Sequence, residues 1–226
     1  MQTHHQNQLQ GLGLGCVAGY VDTLGFIALF GLFTAHVTGN FVLIGAALAA
    51  PTGTSIVLKL LAFPAFISGV AVACLLIGSA QRRQWPALRL VWLLQALLLC
   101  GFMACGLNAA PLGSVVTPSA MAAGLLGAAA MGAHSATSRL LLAHLAPTSM
   151  MTGNVTQLVI DTMDMLRGGG AAGIGGRYAK FVWPMLGFGG GAILAAFAYQ
   201  ACGFAALLLP IAILCGLIAL PLAAAP

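Results

Sequence analysis

Two copies of one tripeptide, Thr38-Gly39-Asn40 and Thr152-Gly153-Asn154, stand one in each half of the chain, and each opens a short apolar stretch. Threonine and asparagine both suit helix N-caps, and a helix start carries unpaired N–H groups with a partial positive charge of about half an elementary unit. Where water is excluded, such a start favours an anion or the oxygen of a polar solute. Both tripeptides are therefore read as solute-binding helix starts, with Thr38, Gly39 and Asn40 contributed by one half and Thr152, Gly153 and Asn154 by the other. Thr38 or Asn40 is expected to cap its own helix.

A second set of polar residues lies near these starts in sequence. Asp22 is one of only three acids in the chain and falls within an apolar run. An acid at the centre of a bilayer costs about 2.5 to 3.5 kcal/mol, so Asp22 must face a cavity or a partner. Its candidate partners are His36, Arg139 and the tripeptide backbone. Its two open roles are a proton- or cation-coupling group and a structural hydrogen bond. When Gly132 is matched to Gly19, His134 and Ser135 take roughly the places of Tyr20 and Asp22, and they join the substrate-site set with His36 and Arg139. That match puts Arg139 at membrane depth, where it would favour an anionic solute, whereas simple counting of spans puts it at the surface.

Nothing in the spacing of these residues makes a metal or cofactor site. His36 and His144 precede the tripeptides at unrelated distances, and none of the six cysteines falls in a C-x-x-C pair. Asp161 and Asp164 are expected to meet water beside Arg167 in a loop. No metal, cofactor or catalytic group is expected, and the chain is read as a non-enzyme.

The elements that must position these groups are membrane helices. With 61% hydrophobic and 5% charged residues, the chain has far too little charge for a soluble domain, whose charged fraction is about 25%. The strength of each apolar run, without alternating ten-residue segments, selects helices over a barrel. Residues 1–10 are polar and are read as a disordered tail, and residues 11–226 as a single membrane domain. Full-length runs occupy residues 11–33, 60–79, 88–107, 114–136, 181–199 and 203–222. The stretch after the first tripeptide ends at Pro51 and would rise about 18 Å, roughly half the hydrocarbon thickness of about 30 Å. The stretch after the second, residues 155–160, is shorter still, and residues 168–176 are a glycine-rich flexible loop.

The halves resemble each other beyond the tripeptides. Phe63-Pro64 with Gly69 matches Trp183-Pro184 with Gly189, giving a repeat of residues 11–109 and 114–226. If the short stretches cross fully, the halves run the same way and Arg82, Arg83 and Arg89 fall opposite Arg167, Arg177 and Lys180. If they dip in and return, all six charges share one side. Cytoplasmic loops collect Lys and Arg, which selects the second arrangement, with Lys59 the single exception. The expected fold is all-α: about six spanning helices, two short re-entrant or half-helices, an internal inverted repeat and both termini in the cytoplasm. In such a plan the half-helix starts meet near the midplane at the solute site.

Gly19-Tyr20-Val21-Asp22 followed by His36-Val37-Thr38-Gly39-Asn40, and Gly132-Ala133-His134-Ser135-Ala136 followed by Met151-Thr152-Gly153-Asn154, resemble the YoaK family of bacterial multi-pass membrane proteins, whose function is unknown. The second block departs from that pattern at His134 and Ser135. The resemblance implies a location in the bacterial inner (plasma) membrane and no particular substrate. From the residues, the leading function is a small transporter or channel-like protein for a small polar or anionic solute. The alternatives are an intramembrane enzyme using Asp22 with His36 or His134, and a non-transporting assembly subunit. The expected partners are the lipid bilayer and the solute, with a homodimer open to a chain of this size and no nucleic acid.

Overall fold

Long uncharged runs in a bilayer must satisfy their own backbone groups, and the chain does so entirely with helices. The computed structural model describes residues 2–50, 55–167 and 174–219. In order these are α1 (Gln2–Ala28), α2 (Gly39–Ala49), α3 (Ile56–Arg82), α4 (Ala87–Ala109), α5 (Pro118–Leu140), α6 (Met151–Leu166) and α7 (Ile174–Cys202). A short 3-10 turn, Gly203–Leu207, then leads into α8 (Leu208–Ala219). Among the described residues no strand occurs.

Four stretches are long and apolar enough to cross a membrane: His5–Ala28, Ile56–Arg82, Ala87–Ala109 and the continuous 42-residue run Tyr178–Ala219. α5 has 23 residues but is rich in Ala and Gly, and most of its length is buried by protein. A helix wrapped by its neighbours needs small side chains more than greasy ones, which is why α5 reads as weakly apolar. The chain is a multi-pass helical membrane protein.

Three boundaries differ from the sequence reading. Residues 2–10, expected as a disordered tail, form the first turns of α1, since the run contains no Pro or Gly before Gly11 to stop the helix. α6 does not end at residue 160 but runs on through Asp161 and Asp164 to Leu166, 16 residues in all. Its buried face carries Asn154 and Asp161, while Val155, Val159, Ile160 and Met163 face outward. Of the expected glycine loop, residues 168–173 lie outside the described residues, and 174–176 already belong to α7.

The glycine stripe of α1 does what its spacing suggests. A Cβ on Gly15 would lie 2.3 Å from the Pro184 carbonyl oxygen, and one on Gly19 would lie 2.1 Å from that of Phe188. In return a Cβ on Gly191 would meet the Cys16 oxygen at 2.3 Å, so α1 and α7 run side by side, parallel, in backbone contact. α3 and α5 repeat the arrangement: a Cβ on Gly132 would stand 2.2 Å from the Phe66 oxygen, and one on Gly69 would stand 2.0 Å from that of Ala129. Cys16 precedes Gly19 by the same step as Ala129 precedes Gly132, and Phe188 precedes Gly191 as Phe66 precedes Gly69. In this packing register Gly69 corresponds to Gly191, two residues beyond the Gly189 that the proline-based match selects. Gly189 has open space where its Cβ would be.

Helix ends sort into two sets. Leu29 and Leu32, past the end of α1, pack against Gly124 near the start of α5, as does Leu58 near the start of α3. Asn108 at the end of α4 donates to the Ser119 hydroxyl at the start of α5 at 2.9 Å. Phe204, at the turn between α7 and α8, lies against Gly106 and Phe102 of α4. One end of the bundle thus holds the ends of α1, α4 and α7 with the starts of α3, α5 and α8.

Lys59, the exception to the charge pattern, sits at that end but is buried, and its Nζ donates to the Phe30 carbonyl at 2.7 Å. Phe30 and Gly31 have φ of 55° and 70°, and the Gly31 N–H reaches back to the Phe26 oxygen at 3.1 Å, a left-handed helix ending. Lys59 is therefore a cation set against the negative end of α1 and not a surface charge reporting orientation.

Candidate functional site

The linker between α1 and α2, residues 29–38, folds around Asp22. Its Oδ1 accepts the N–H groups of Thr34 at 2.8 Å, Ala35 at 2.7 Å and His36 at 3.3 Å, with the Thr34 hydroxyl at 3.4 Å. Its Oδ2 lies 2.6 Å from Nδ1 of His36. Three N–H groups converge on one oxygen, so this buried acid has a fixed set of partners. The carboxylate in turn holds the His36 proton above its ordinary range, against the opposing effect of burial. The imidazole is fixed by edge contacts to Phe188 at 5.5 Å and Phe33 at 6.3 Å, and its side chain remains 40% exposed.

The tripeptide asparagines do not cap helices, and Thr38 makes no side-chain capping bond. The Asn40 amide brackets Phe33 instead, donating to its carbonyl at 2.8 Å and accepting its N–H at 3.0 Å. Asn154 likewise donates to the Pro147 carbonyl at 2.7 Å. Each asparagine reaches back seven residues and closes the linker before its helix into a loop. This explains why the tripeptide recurs: threonine and glycine form the start, and asparagine latches the approach to it.

A latch lost at either site strands buried polar atoms at about 1–3 kcal/mol each. Asn40→Ala, which breaks two bonds to the backbone, is expected to lower the melting temperature of the purified protein more than Asn154→Ala, which breaks one to the backbone and a long one to the Met151 sulfur. Equal and negligible shifts would show that the latches contribute nothing.

Two cavities of about 530 Å³ each adjoin this loop. The first is lined by Asp22, Thr23, Phe26, Phe33, His36, Thr38, Gly39 and Phe188, near the end of α1. The second brings Thr38 together with Thr152 and Gly153, and adds Ser135 and Arg139 from the last turns of α5, Ser149, and Phe63, Phe66, Ile67 and Val70 of α3. Since the end of α1 and the start of α5 share one end of the bundle, the two cavities lie toward opposite ends. His36 and Thr38 line both.

The two helix starts differ in what they leave unbound. The first N–H groups of α2 are closed by its own turn, Gly39 to the His36 oxygen at 2.8 Å, Asn40 to Val37 at 3.1 Å and Phe41 to Thr38 at 3.2 Å. Among the described residues no corresponding bonds close the start of α6, and the side chain of its N-cap residue Met150 makes no capping bond. Arg139 is exposed, donates to the Met150 sulfur at 3.1 Å and has no carboxylate partner among the described residues.

Of the residues singled out from sequence, Asp22, His36, Thr38, Gly39, Ser135, Arg139, Thr152 and Gly153 line the cavities, while Asn40 and Asn154 hold the loops. His134 stands apart, buried with its Nε2 2.8 Å from the Thr148 hydroxyl and its Nδ1 3.1 Å from the Gln95 amide. It fixes the second linker from behind. Ser149, buried and facing the second cavity, and Phe188, which orients His36, carried no sequence signal. Asp161 does not meet water: it is buried, takes one bond from Gln157 at 2.9 Å, and its Oδ2 has no partner among the described residues. Among the described residues no cluster of three metal-ligating side chains occurs.

A family model described as a protein of unknown function, DUF1275, matches residues 10–220. The chain is 40% identical over 77 residues to the UPF0700 transmembrane protein YoaK of Bacillus subtilis (strain 168), a match that covers 34% of this chain and 34% of that relative. The similarity to that relative therefore spans about a third of its length. No solved structure matches.

Proposed function

We propose that this chain, which belongs to the DUF1275 family of membrane proteins of unknown function, is a small transporter or channel-like protein that takes an anionic solute into the cavity shared by its two Thr-Gly-Asn segments. The observation that carries the reading is the second cavity. Thr38 from one half and Thr152 and Gly153 from the other meet there beside Arg139, with the unclosed start of α6 in the wall. A guanidinium, free backbone N–H groups and the Ser149 and Thr152 hydroxyls are all donors, and the volume suits a small anion with part of its hydration shell.

The architecture supports a pathway. The matching backbone contacts of α1 with α7 and of α5 with α3, together with the distribution of helix ends, support an inverted repeat with six crossings: α1, α3 and α4 in one half, and α5, α7 and α8 in the other. α2 and α6 are the short re-entrant segments. In that arrangement Arg82, Arg83, Arg89, Arg139, Arg167, Arg177 and Lys180 gather at one end, which makes it the cytoplasmic face of a bacterial inner membrane with both termini there. Two cavities toward opposite ends of the bundle, with His36 and Thr38 in the lining of both, are an arrangement that alternating access can use. The lipid bilayer surrounds the exposed apolar residues of α3 and α7, and a homodimer would use part of that face. An intramembrane enzyme is the weaker reading: Asp22 orients His36, yet among the described residues no serine, threonine or cysteine side chain bonds to that imidazole, so no activated nucleophile is in place.

The test is flux of nitrate, acetate and inorganic phosphate into liposomes carrying the purified chain. Losing a charged hydrogen bond of about 1.5–3 kcal/mol lowers affinity about ten- to a hundredfold. Arg139→Gln is expected to raise the half-saturating concentration of the transported anion by that factor, and Arg139→Lys by less. Wild-type liposomes no leakier than empty ones to every probe, or Arg139→Gln flux equal to wild type, would overturn the proposal.

A further inference from the structure

We infer that His36 is the proton-carrying side chain of this pathway, exchanging its Nε2 proton with either cavity while Asp22 holds Nδ1, so that anion movement is coupled to proton movement. The inference rests on reading the second cavity as an anion site, and adds the coupling ion and its carrier.

The placement of His36 is what singles it out. It and Thr38 are the residues that line both cavities, and the two cavities lie toward opposite ends of the bundle. A threonine hydroxyl does not hold an extra proton near neutral pH, whereas an imidazole does. Asp22 Oδ1 is occupied by three backbone N–H groups, which leaves Oδ2 for the imidazole at 2.6 Å. That bond fixes the proton on Nδ1 in the neutral ring and leaves Nε2 as the exchanging nitrogen. The edge contacts to Phe188 and Phe33 fix the plane of the ring, so the exchanging edge is presented rather than free to turn away.

The groups around His36 leave it as the titrating one. α1 supplies Asp22, and α7 supplies Phe188, which does not titrate. The linker supplies Thr38 and α2 supplies Gly39. The cavity face of α3 is Phe63, Phe66, Ile67 and Val70, with its Lys59 bound to the Phe30 carbonyl. α5 supplies Ser135 and, across the second cavity, Arg139, while α6 supplies Thr152. Both Asp22 oxygens are engaged, Oδ1 by three backbone N–H groups and Oδ2 by Nδ1 of His36, and arginine keeps its charge in proteins.

The cycle balances without any electron transfer. Water in one cavity delivers a proton to Nε2, giving an imidazolium whose Nδ1–H stays on Asp22 Oδ2. Loss of the Nε2 proton to water in the other cavity restores the neutral ring. While protonated, His36 adds a positive charge to the wall that Arg139 faces, so anion and proton each favour the binding of the other. That coupling is reciprocal by linkage and is worth about 5- to 150-fold in affinity.

The experiment uses the full chain in lipid nanodiscs with 15N-labelled histidine, His36 being assigned by its loss in His36→Gln. Sodium nitrate, sodium acetate and sodium phosphate are the probes, and sodium gluconate is the bulky control. The His36 midpoint is expected to move to higher pH with the transported anion and to stay put with gluconate. Asp22→Asn is expected to lower the midpoint and remove the anion effect. In liposomes, flux driven by an inward proton gradient is expected to fall about tenfold or more in His36→Gln, within the coupling range above. Anion flux that depends on Arg139 but has the same proton-gradient dependence in His36→Gln as in wild type would overturn the proton assignment alone. A His36 midpoint unmoved by any probe whose flux is observed would do the same. Absence of both flux and binding would overturn the anion site, and this inference with it.

Discussion

Gly19→Ala, Gly69→Ala, Gly132→Ala and Gly191→Ala are each expected to cost the protein most of its thermal stability, while Gly189→Ala and Gly190→Ala leave the melting temperature essentially unchanged. At the first four positions a methyl group would be placed 2.0–2.3 Å from a backbone oxygen of the neighbouring helix. Neither atom is the far end of a flexible side chain, so relief requires moving whole helices apart. In a membrane that separation is not compensated by a stronger hydrophobic effect, because lipid is as apolar as the interface it replaces. Overpacking costs about 1–3 kcal/mol where side chains can adjust, and these sites belong at the top of that range or above it. The gain of up to about 1 kcal/mol in helix propensity from Gly to Ala works the other way and is too small to offset it. At Gly189 and Gly190 nothing lies within 4 Å of the added carbon, so propensity alone acts. Thermal unfolding of the purified chain in detergent decides the matter. Equal damage from Gly189→Ala and Gly191→Ala would refute the packing register and, with it, the equivalence of the two helix pairs.

That register shows where sequence was informative and where it was not. The tripeptides, the glycine stripe of α1 and the match of Gly19 to Gly132 were legible because each is a local pattern that backbone geometry demands. The pairing of Pro64 with Pro184 was also visible, yet it selects Gly189 where packing uses Gly191, because a proline in a helix answers to its own turn while the glycine answers to the neighbour it touches. Thr38 and Thr152 stood out through the tripeptide they share, and one cavity is lined by both. The function of the asparagines did not, since a bond reaching back seven residues depends on how the linker folds. Lys59 was visible only as an anomaly of charge, and the carbonyl it binds, at the end of another helix, explains it. Asp161 misled because an acid near an arginine and a glycine run reads as surface, whereas α6 continues past it and turns it inward.

The two halves of the site also differ in a way that repeat matching alone conceals. At the positions where one half places Asp22 and Phe26, the other places Ser135 and Arg139. One linker is organised by an acid that gathers backbone N–H groups, and the other is braced by His134 on Thr148. The acid belongs to one cavity wall and the guanidinium to the other, with the imidazole in both. Two similar helix pairs thereby carry different side chains, an acid with an imidazole on one and a guanidinium on the other.

Substitutions at Asp22 separate its structural role from its chemical one. Asp22→Ala removes the acceptor of three linker N–H groups and leaves His36 without its partner. Breaking a buried pair of this kind costs about 3–5 kcal/mol, so the variant is expected to melt far below wild type or to fail to accumulate. Asp22→Asn keeps a carbonyl oxygen for the N–H groups but turns an amide donor toward Nδ1 of His36. The ring must then accept there and carry its proton on Nε2, the tautomer opposite to the native one. The expected result is a protein that folds with a modest loss, about 1–2 kcal/mol for weaker, uncharged hydrogen bonds, yet has lost proton-gradient dependence. Asp22→Glu retains the charge but lengthens the side chain by one carbon against a linker built on the shorter reach, so it should recover less stability than asparagine does. An acid here works against membrane insertion by about 2.5–3.5 kcal/mol, and the three N–H groups are what make its retention favourable. A melting temperature for Asp22→Ala equal to that of wild type, measured on the full chain in nanodiscs, would show that residues 29–38 hold their shape without it and would remove Asp22 from the centre of the site.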